Sequence, residues 1–307
     1  MDFKNKIIVI GGQTASGKTS MSLDICQQFN GEVVSSDSVQ IYKYLDIGSA
    51  KPSLSERAII EHSMIDIVEP CKEFDVKEYT QKAEICLDNI WKKNKIPVLT
   101  GGTGFYVESL LCGLPKIKND CDIRKKYENI LKEKGREYLF SILQRKWPER
   151  AITLHINDTK RIIRSIEIYE TGGKEQFENF NKKLKFDILF FYIEPEKELN
   201  EKNIKKRVLN MIKNGLIDEV EFVLREKGFS RQSKTAIGYK ETIDFIESNN
   251  NIEELVFNIS LHTRQFAKRQ RTFFKNKFKK MIFLESYDIN NYHIKKETEK
   301  FLEGNNV

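Results

Sequence analysis

Cysteine and histidine are scarce in this sequence, and neither occurs in a metal-binding or disulfide pattern. Five cysteines and four histidines are scattered through 307 residues, without a single C-x-x-C pair. An odd number of isolated cysteines argues against a disulfide framework, and the missing pairs argue against a structural zinc site. We therefore expect a protein of the reducing cytoplasm.

Long apolar stretches, internal repeats and low-complexity segments are missing as well. No run approaches the roughly 18 apolar residues that a membrane-spanning helix needs, so we expect no membrane partner. The first apolar strand follows the first residues so closely that we expect no signal or transit peptide. Charged residues make up 32% of the chain and the net charge is +7, which is typical of a protein with much exposed surface.

The clearest motif is GQTASGKT, at residues 12–19. It follows a short apolar run and precedes a segment, 18–29, with helical periodicity, as a phosphate-binding P-loop does. Backbone N–H groups of such a loop and the positive end of the following helix hold a phosphate. We expect Lys18 to reach the outer phosphate oxygens and the Thr19 hydroxyl to ligate Mg²⁺. The predicted phosphate-binding residues are Gly12, Gln13, Thr14, Ala15, Ser16, Gly17, Lys18 and Thr19.

Two further loops are predicted at the same edge of a parallel sheet, where open α/β sheets bind ligands. A strand at 32–35 is followed by Asp37, and a strand at 96–99 runs into the glycine-rich turn TGGTGF, which contains Thr103. Local sequence leaves two interpretations of Asp37 open, a site residue or a turn aspartate in an S-S-D-S cluster. The strand at 96–99 lacks the terminal carboxylate that orients water in an ATPase, which weakens a hydrolytic interpretation.

Other segments predict the rest of an α/β core. Residues 62–68 and 187–194 have the composition of strands, and 76–92, 201–214 and 252–276 have helical periodicity. Between residues 264 and 280 the last of these helices and the residues after it carry basic side chains interleaved with phenylalanines and no acid. The basic side chains can bind a phosphate backbone and the aromatic rings can stack on bases, or the rings can pack on the core.

Residues 118–182 contain much charge and little strand pattern, which predicts an inserted all-helical subdomain. The predicted domains are therefore a core at 1–117 and 183–307 and a helical insertion at 118–182. Asn157 and Asp158 begin a helix predicted at 159–171. Near its start stand Lys160, Arg161 and Arg164, which form either a solvated face or a binding patch.

With these motifs in order, the sequence resembles the tRNA dimethylallyltransferase (tRNA isopentenyltransferase) family along nearly its whole length. The matching blocks are GGQTASGKTS, GEVVSSDSVQIYKYLDIGSAKP, HSMIDIVEP, PVLTGGTGFYVESLLCGL, HINDTKRIIRSIEIYETGG, RVLNMIKNGLIDEV, TAIGYKE and TRQFAKRQRTFF. One departure is Gln13, which stands where proline is usual in the family. The chain looks like a bacterial form.

The resemblance implies a P-loop NTPase-like α/β core with a parallel sheet and an inserted helical domain. It also implies transfer of a dimethylallyl group from dimethylallyl diphosphate to a tRNA anticodon stem-loop. The acceptor is the N6 amine of the adenosine 3′-adjacent to the anticodon in tRNAs reading codons that begin with U. The P-loop would then hold a diphosphate leaving group, so no hydrolytic water is needed.

The resemblance also implies roles for individual residues. Asp37 matches a general base on the adenine amine, Thr103 a threonine near the bridging oxygen, and Arg207 an arginine on the diphosphate. Mg²⁺ would bridge phosphate oxygens, with Thr19 as its protein ligand. The residues that match tRNA contacts are Asp37, Ser38, Val39, Gln40, Thr103, Arg124, Lys160, Arg161, Ile162, Ile163 and Arg164. We expect a cytoplasmic monomer.

Three other functions share part of this pattern. A nucleotide or metabolite kinase shares the P-loop but leaves the basic C-terminal helix unexplained. A prenyltransferase acting on free AMP or ADP needs no tRNA-binding insertion. A non-catalytic RNA-binding module leaves Lys18, Asp37, Thr103 and Arg207 without a purpose.

Overall fold

Six parallel strands form one sheet in the computed structural model, which describes residues 3–248, 251–288 and 292–304. The strands are β1 (Lys6–Gly12), β2 (Gly31–Ser35), β3 (His62–Ser63), β4 (Ile96–Thr100), β5 (Asp187–Ile193) and β6 (Ile282–Leu284). Their order across the sheet is β3-β2-β4-β1-β5-β6. The central strands β1, β4 and β5 are largely apolar, as is usual where helices cover both faces of a parallel sheet.

The helices account for most of the remaining described residues. They are α1 (Lys18–Phe29), α2 (Leu54–Ile59), α3 (Val76–Lys92), α4 (Gly104–Cys112), α5 (Cys121–Lys146), α6 (Pro148–Ala151), α7 (Thr159–Glu170), α8 (Lys174–Glu178), α9 (Lys197–Lys213), α10 (Leu216–Glu226), α11 (Arg231–Lys234), α12 (Tyr239–Ser248), α13 (Ile252–Lys277) and α14 (Tyr292–Glu303). Within the described ranges, no helix is both long and apolar enough to cross a membrane.

Alternating side chains of the strands fill two cores, one on each face of the sheet. Ile7 and Val9 of β1 lie in one core, and Ile8 and Ile10 lie in the other. Phe274 and Phe278 of the basic segment are buried in the first of these cores. For these two rings, the structure therefore supports core packing, not stacking on bases.

The register of the strands brings the predicted loops to one edge of the sheet. Thr100, the last residue of β4, pairs with Ile10 of β1 and with Ser35 of β2. The loops that follow these three strands are therefore neighbours. Glycine is needed where two of them touch, because a side chain at Gly101 would place its Cβ 2.6 Å from the backbone of Ser36.

The chain divides into two compact units, one of Met1–Gly113 with Leu184–Val307 and the other of Leu114–Lys183. The division falls four residues before the first predicted boundary and one after the second. The smaller unit contains α5 to α8 and no strand, and has its own apolar core around Trp147, Ile162 and Ile166. The P-loop NTPase-like α/β fold with an all-helical part, expected from the sequence, is confirmed.

Most predicted elements form close to their expected bounds, and the helices predicted at 18–29 and 76–92 form over those residues. The strand predicted at 62–68 is wrong beyond Ser63. Met64 and Asp66 have positive φ angles of 65° and 57°, which turn the chain away from the sheet. This turn lets Asp66 accept hydrogen bonds from Lys51 and Arg57. Helix α14 was not predicted, because the tail after residue 284 carries no clear pattern. Strand β6 was not predicted either, because its three residues are too few to show a periodic pattern.

Candidate active site

Two adjoining cavities open at the carboxyl edge of the sheet in the larger unit. The smaller, which we call the phosphate cavity, has a volume of about 130 Å³ and is lined by Thr14–Thr19 of the P-loop. The other, which we call the acceptor cavity, has a volume of about 360 Å³ and includes apolar side chains of α9 and α13. The residues that line both cavities are Thr14, Asp37, Ser49, Arg207 and Phe266.

Six of the eight predicted P-loop residues, Thr14 to Thr19, line the phosphate cavity. Gly12 and Gln13 do not line it, and their carbonyl oxygens accept hydrogen bonds from Lys18 Nζ at 3.1 and 2.6 Å. A Cβ at Gly12 would lie 2.8 Å from the carbonyl oxygen of Ile193, so the tight turn needs glycine there. The side chain of Gln13 accepts a hydrogen bond from Asn200 at 2.8 Å.

Arg207 lies close enough to Lys18 to lower the pKa of the lysine. Removal from water lowers the pKa of Lys18 to about 7, the positive charge of Arg207 adds to this shift, and Asp37 opposes it. Removal from water also lowers the pKa of Arg207, and Asp37 again opposes the shift. Cations that are poorly hydrated need an anionic partner. The site is therefore suited to an anion larger than the single carboxylate of Asp37.

The geometry of Asp37 is compatible with both of the interpretations that the sequence left open. Its Oδ1 accepts hydrogen bonds from the N–H groups of Val39 and Gln40 at 2.8 and 3.2 Å, as a turn aspartate does. The same carboxylate lines both cavities. The turn fixes the position of the side chain, so a carboxylate is held where the two cavities meet.

Thr103 lies at the start of α4 and lines the acceptor cavity. Its hydroxyl accepts a hydrogen bond from the N–H of Ser38 at 3.0 Å and donates to the Ser38 hydroxyl at 3.2 Å. Thr103 therefore joins the glycine-rich turn to the segment that carries Asp37. Gln40 lines the phosphate cavity, and Ser38 and Val39 line the acceptor cavity.

Arg207 projects from α9 and lines both cavities. Its guanidinium Nη2 donates a hydrogen bond to the carbonyl oxygen of Ser49 at 3.3 Å. A guanidinium between a phosphate-binding loop and a second cavity can bind two oxygens of an anion at once.

Sequence reasoning missed Gln270, which connects the P-loop to the glycine-rich turn. Its Oε1 accepts from the N–H of Thr14 and its Nε2 donates to the carbonyl of Gly102, both at 2.9 Å. The side chain is only 5% exposed, although it stands in the most basic segment of the chain. No local pattern marks a glutamine as a contact to residues that lie so far away in sequence.

In the smaller unit, two of the four predicted tRNA-contacting cations pair with a buried carboxylate. Glu167 on α7 pairs with Arg124 at 3.0 Å and Arg164 at 2.8 Å, while Arg161 pairs with Asp158 at 2.9 Å. Lys160 is exposed.

The same helix corrects the predicted contacts of Ile162 and Ile163. Their side chains are 0% and 6% exposed and belong to the core of the smaller unit. Because they face inward on α7, their side chains cannot make the tRNA contact predicted for them. They hold the helix that presents the neighbouring cations.

The donor set of the phosphate cavity fits Mg²⁺, although no three His, Cys, Asp or Glu side chains group together in the described part of the chain. Mg²⁺ keeps several waters and is usually bound through one or two protein groups and the phosphates of a substrate. Thr19 and Asp37 both line the cavity, and the buried hydroxyl of Ser16 has no hydrogen-bond partner. Oxygen donors are therefore available there.

Comparison with known proteins agrees with this geometry. Residues 40–277 match the family model described as IPP transferase, and residues 5–66 match the model of isopentenyl transferase. The tRNA dimethylallyltransferase of Caldicellulosiruptor saccharolyticus is 38% identical over 98% of this chain and 97% of its own length. That of Halothermothrix orenii is 40% identical over 88% of this chain and 84% of its own length.

Solved structures agree as well. The tRNA isopentenylpyrophosphate transferase of Staphylococcus epidermidis has a TM-score of 0.70 and 34% identity, covering 98% of this chain and all of the other. A eukaryotic dimethylallyltransferase, described as acting on tRNA, has a TM-score of 0.82 and 27% identity, covering 98% of this chain and 80% of its own. The chain therefore belongs to the IPP transferase family, the prenyl transferases that include the tRNA dimethylallyltransferases.

Proposed function

We propose that the chain transfers a dimethylallyl group from dimethylallyl diphosphate to a tRNA. The acceptor is the N6 amine of the adenosine 3′-adjacent to the anticodon in tRNAs that read codons beginning with U. The products are N6-(dimethylallyl)adenosine and diphosphate. The observation that carries this proposal is that Asp37 and Arg207 each line both the phosphate cavity and the acceptor cavity. A carboxylate that can take a proton and a cation that can bind a diphosphate are thus available where the two cavities meet.

The phosphate cavity holds the leaving group in this account. As the carbon–oxygen bond breaks, negative charge grows on the diphosphate. Donors that are already in place stabilise this charge without a cost of reorganisation. Lys18, Arg207 and the N–H groups of the P-loop supply them. Thr103 is proposed to donate its hydroxyl hydrogen to the bridging oxygen, in exchange for its bond to Ser38.

Asp37 acts on the acceptor. The N6 nitrogen forms a bond to the first carbon of the dimethylallyl group while the bond from that carbon to oxygen breaks. The nitrogen then carries an extra proton, which passes to the carboxylate of Asp37. The hydrogen bonds that the backbone N–H groups of Val39 and Gln40 donate to Asp37 Oδ1 hold the carboxylate in place during this transfer.

Thr19 is the residue proposed to hold Mg²⁺, as expected from the sequence. When bound, the ion would supply positive charge that neutralises the diphosphate oxygens. We also propose that the chain is a cytoplasmic monomer, and its five free cysteines are compatible with a reducing compartment.

The product can be identified directly. Unmodified tRNA incubated with the protein, Mg²⁺ and dimethylallyl diphosphate should yield N6-(dimethylallyl)adenosine on nucleoside analysis. A tRNA with guanosine in place of the adenosine beside the anticodon should yield none. Equal modification of both tRNAs would exclude the proposed acceptor.

Proton uptake should accompany diphosphate binding, because Lys18 has a pKa of about 7 in the free protein. A bound diphosphate raises this pKa, so at pH about 8 Lys18 gains a proton on binding, and affinity falls as the pH rises further. Calorimetry with inorganic diphosphate in buffers of different ionisation enthalpy measures the uptake. Lys18→Arg is the control, because arginine stays charged and takes up no proton on binding. Any proton uptake by this variant comes from the diphosphate itself. Equal uptake by both proteins would contradict the assignment to Lys18.

Replacing Lys160, Arg161 and Arg164 with glutamine should weaken tRNA binding. Each lost phosphate contact reduces the salt dependence of log K by about 0.7 to 0.9. Filter binding of tRNA over a range of salt concentrations measures this slope. The control replaces the exposed Lys118, Lys132 and Lys134 of the same unit with glutamine, which changes the net charge equally. An unchanged slope in the first variant would return this patch to the solvated-face interpretation.

A further inference from the structure

One wall of the site is a loop without regular structure. We call residues 46–50 the wall loop; Gly48 and Ser49 line the acceptor cavity, and Ser49 and Ala50 line the phosphate cavity. Such a loop keeps a fixed position only when its backbone groups are bound. The structure shows which side chain binds them.

That side chain is Glu219, in the first turn of α10. Its Oε2 accepts from the N–H groups of Asp46 and Ile47 at 2.9 and 2.7 Å, and its Oε1 accepts from the N–H of Gly48 at 3.1 Å. Three successive amides thus point at one carboxylate. Hydrogen bonds to an ionised acceptor are stronger than those between neutral groups, so this contact holds the loop firmly.

Tyr239, at the start of α12, completes the contact. Its hydroxyl donates to Glu219 Oε1 at 2.8 Å, and its ring is fully buried. Burial, together with the charge of Glu219, raises the pKa of Tyr239 well above its usual value, so the hydroxyl remains a donor. The ring fills the space beside Gly48, where a Cβ would lie 2.6 Å from a ring carbon.

The wall loop in turn contacts two residues of the proposed site. The carbonyl of Ser49 accepts from Arg207 at 3.3 Å and from Gln40 Nε2 at 3.4 Å, and the carbonyl of Ala50 accepts from Gln40 Nε2 at 3.3 Å. A shift of the wall loop therefore moves the partner of Arg207.

We propose that Glu219, oriented by Tyr239, is a positioning residue that sets the place of Arg207 through the wall loop. Neither Glu219 nor Tyr239 lines either cavity, so both act at a distance from the substrates. The inference rests on the proposed function, in which Arg207 binds the diphosphate. Three blocks of the sequence that are far apart, LDIGSAKP, GLIDEV and TAIGYKE, meet in this one arrangement.

Glu219→Gln tests the inference, because glutamine keeps the size but turns an amide NH₂ toward backbone donors. We expect the amides of residues 46–48 to exchange with deuterium about tenfold faster or more. We also expect weaker binding of inorganic diphosphate and a fall in kcat/KM for dimethylallyl diphosphate of about 10- to 100-fold. Glu221→Gln, an exposed residue on the same helix, should match the wild type in all three measurements.

Gly48→Ala gives a second test that leaves Glu219 intact. The added methyl group meets the Tyr239 ring and pushes the wall loop aside, so diphosphate affinity should fall as in Glu219→Gln. If Glu219→Gln does not fold, Gly48→Ala still tests whether the position of the wall loop affects diphosphate binding. If amide exchange became faster in Glu219→Gln while diphosphate affinity and kcat/KM stayed unchanged, the claim that the wall loop positions Arg207 would be wrong. Unchanged amide exchange in Glu219→Gln would contradict the claim that Glu219 fixes the position of the wall loop.

Failure of the proposed function gives a different result. If the wild-type protein transferred no dimethylallyl group to tRNA, the proposed function would be wrong. Amide exchange and binding of inorganic diphosphate would still measure whether Glu219 positions the loop and Arg207.

Discussion

Asp37→Asn should lower kcat by about 10²- to 10⁴-fold, the usual contribution of a general base. Asparagine keeps an oxygen that can accept the N–H groups of Val39 and Gln40, so the turn at 37–40 should survive. It cannot take a proton from the adenine amine. Binding of tRNA should therefore change little while single-turnover transfer slows.

Asp37→Ala serves as the comparison, because it removes both the base and the contacts of the turn. A larger loss of tRNA binding in Asp37→Ala than in Asp37→Asn would separate the two roles of this carboxylate. Near-normal turnover of Asp37→Asn would remove Asp37 from the chemistry and leave it as a turn residue.

Arg207→Gln should lower kcat by about 10²- to 10³-fold, as loss of a donor to a developing anion does. The guanidinium lies at the junction of the two cavities and is poorly hydrated, so its interaction with the diphosphate is only weakly screened. The binding of inorganic diphosphate should weaken as well. Steady-state kinetics with varied dimethylallyl diphosphate gives kcat, and product inhibition by inorganic diphosphate gives its affinity.

Lys206→Gln is the matched control, because its side chain is exposed on the same helix. It should retain the activity of the wild type. The kcat of Arg207→Lys should lie between those of Arg207→Gln and the wild type. Lysine keeps the positive charge but lacks the planar guanidinium that binds two oxygens. Wild-type kinetics in Arg207→Gln would exclude a role in the departure of diphosphate.

Features that depend on residues close together in the sequence could be predicted from it. The P-loop, its strand and its helix follow from a local pattern of glycines and apolar residues. Asp37 and Thr103 could be placed near this loop because parallel strands present their carboxyl ends at one edge. The structure brings Lys18 and Asp37 to the phosphate cavity and Thr103 to the adjoining acceptor cavity. The role of Arg207 was implied by the family resemblance alone.

Contacts between distant segments could not be predicted in this way. Gln270 lies 256 residues from Thr14, and Glu219 lies 172 residues from Ile47, so no local pattern links them. Strand β3 stops early because of positive φ angles at Met64 and Asp66, which composition does not reveal. The tRNA contacts of Ile162 and Ile163 came from the family match to residues 160–164, whereas helical periodicity alone places both on the apolar side of the helix.

The most direct test of the account follows labelled dimethylallyl diphosphate. Three reactions are run, each with the protein, Mg²⁺ and the labelled compound. The first contains tRNA as the acceptor, the second AMP and the third ATP. The account predicts label in tRNA alone, at the adenosine beside the anticodon. Label in AMP or ATP would contradict the proposed acceptor. Phosphorylation of an acceptor from ATP without any transfer of the label would contradict the proposed reaction.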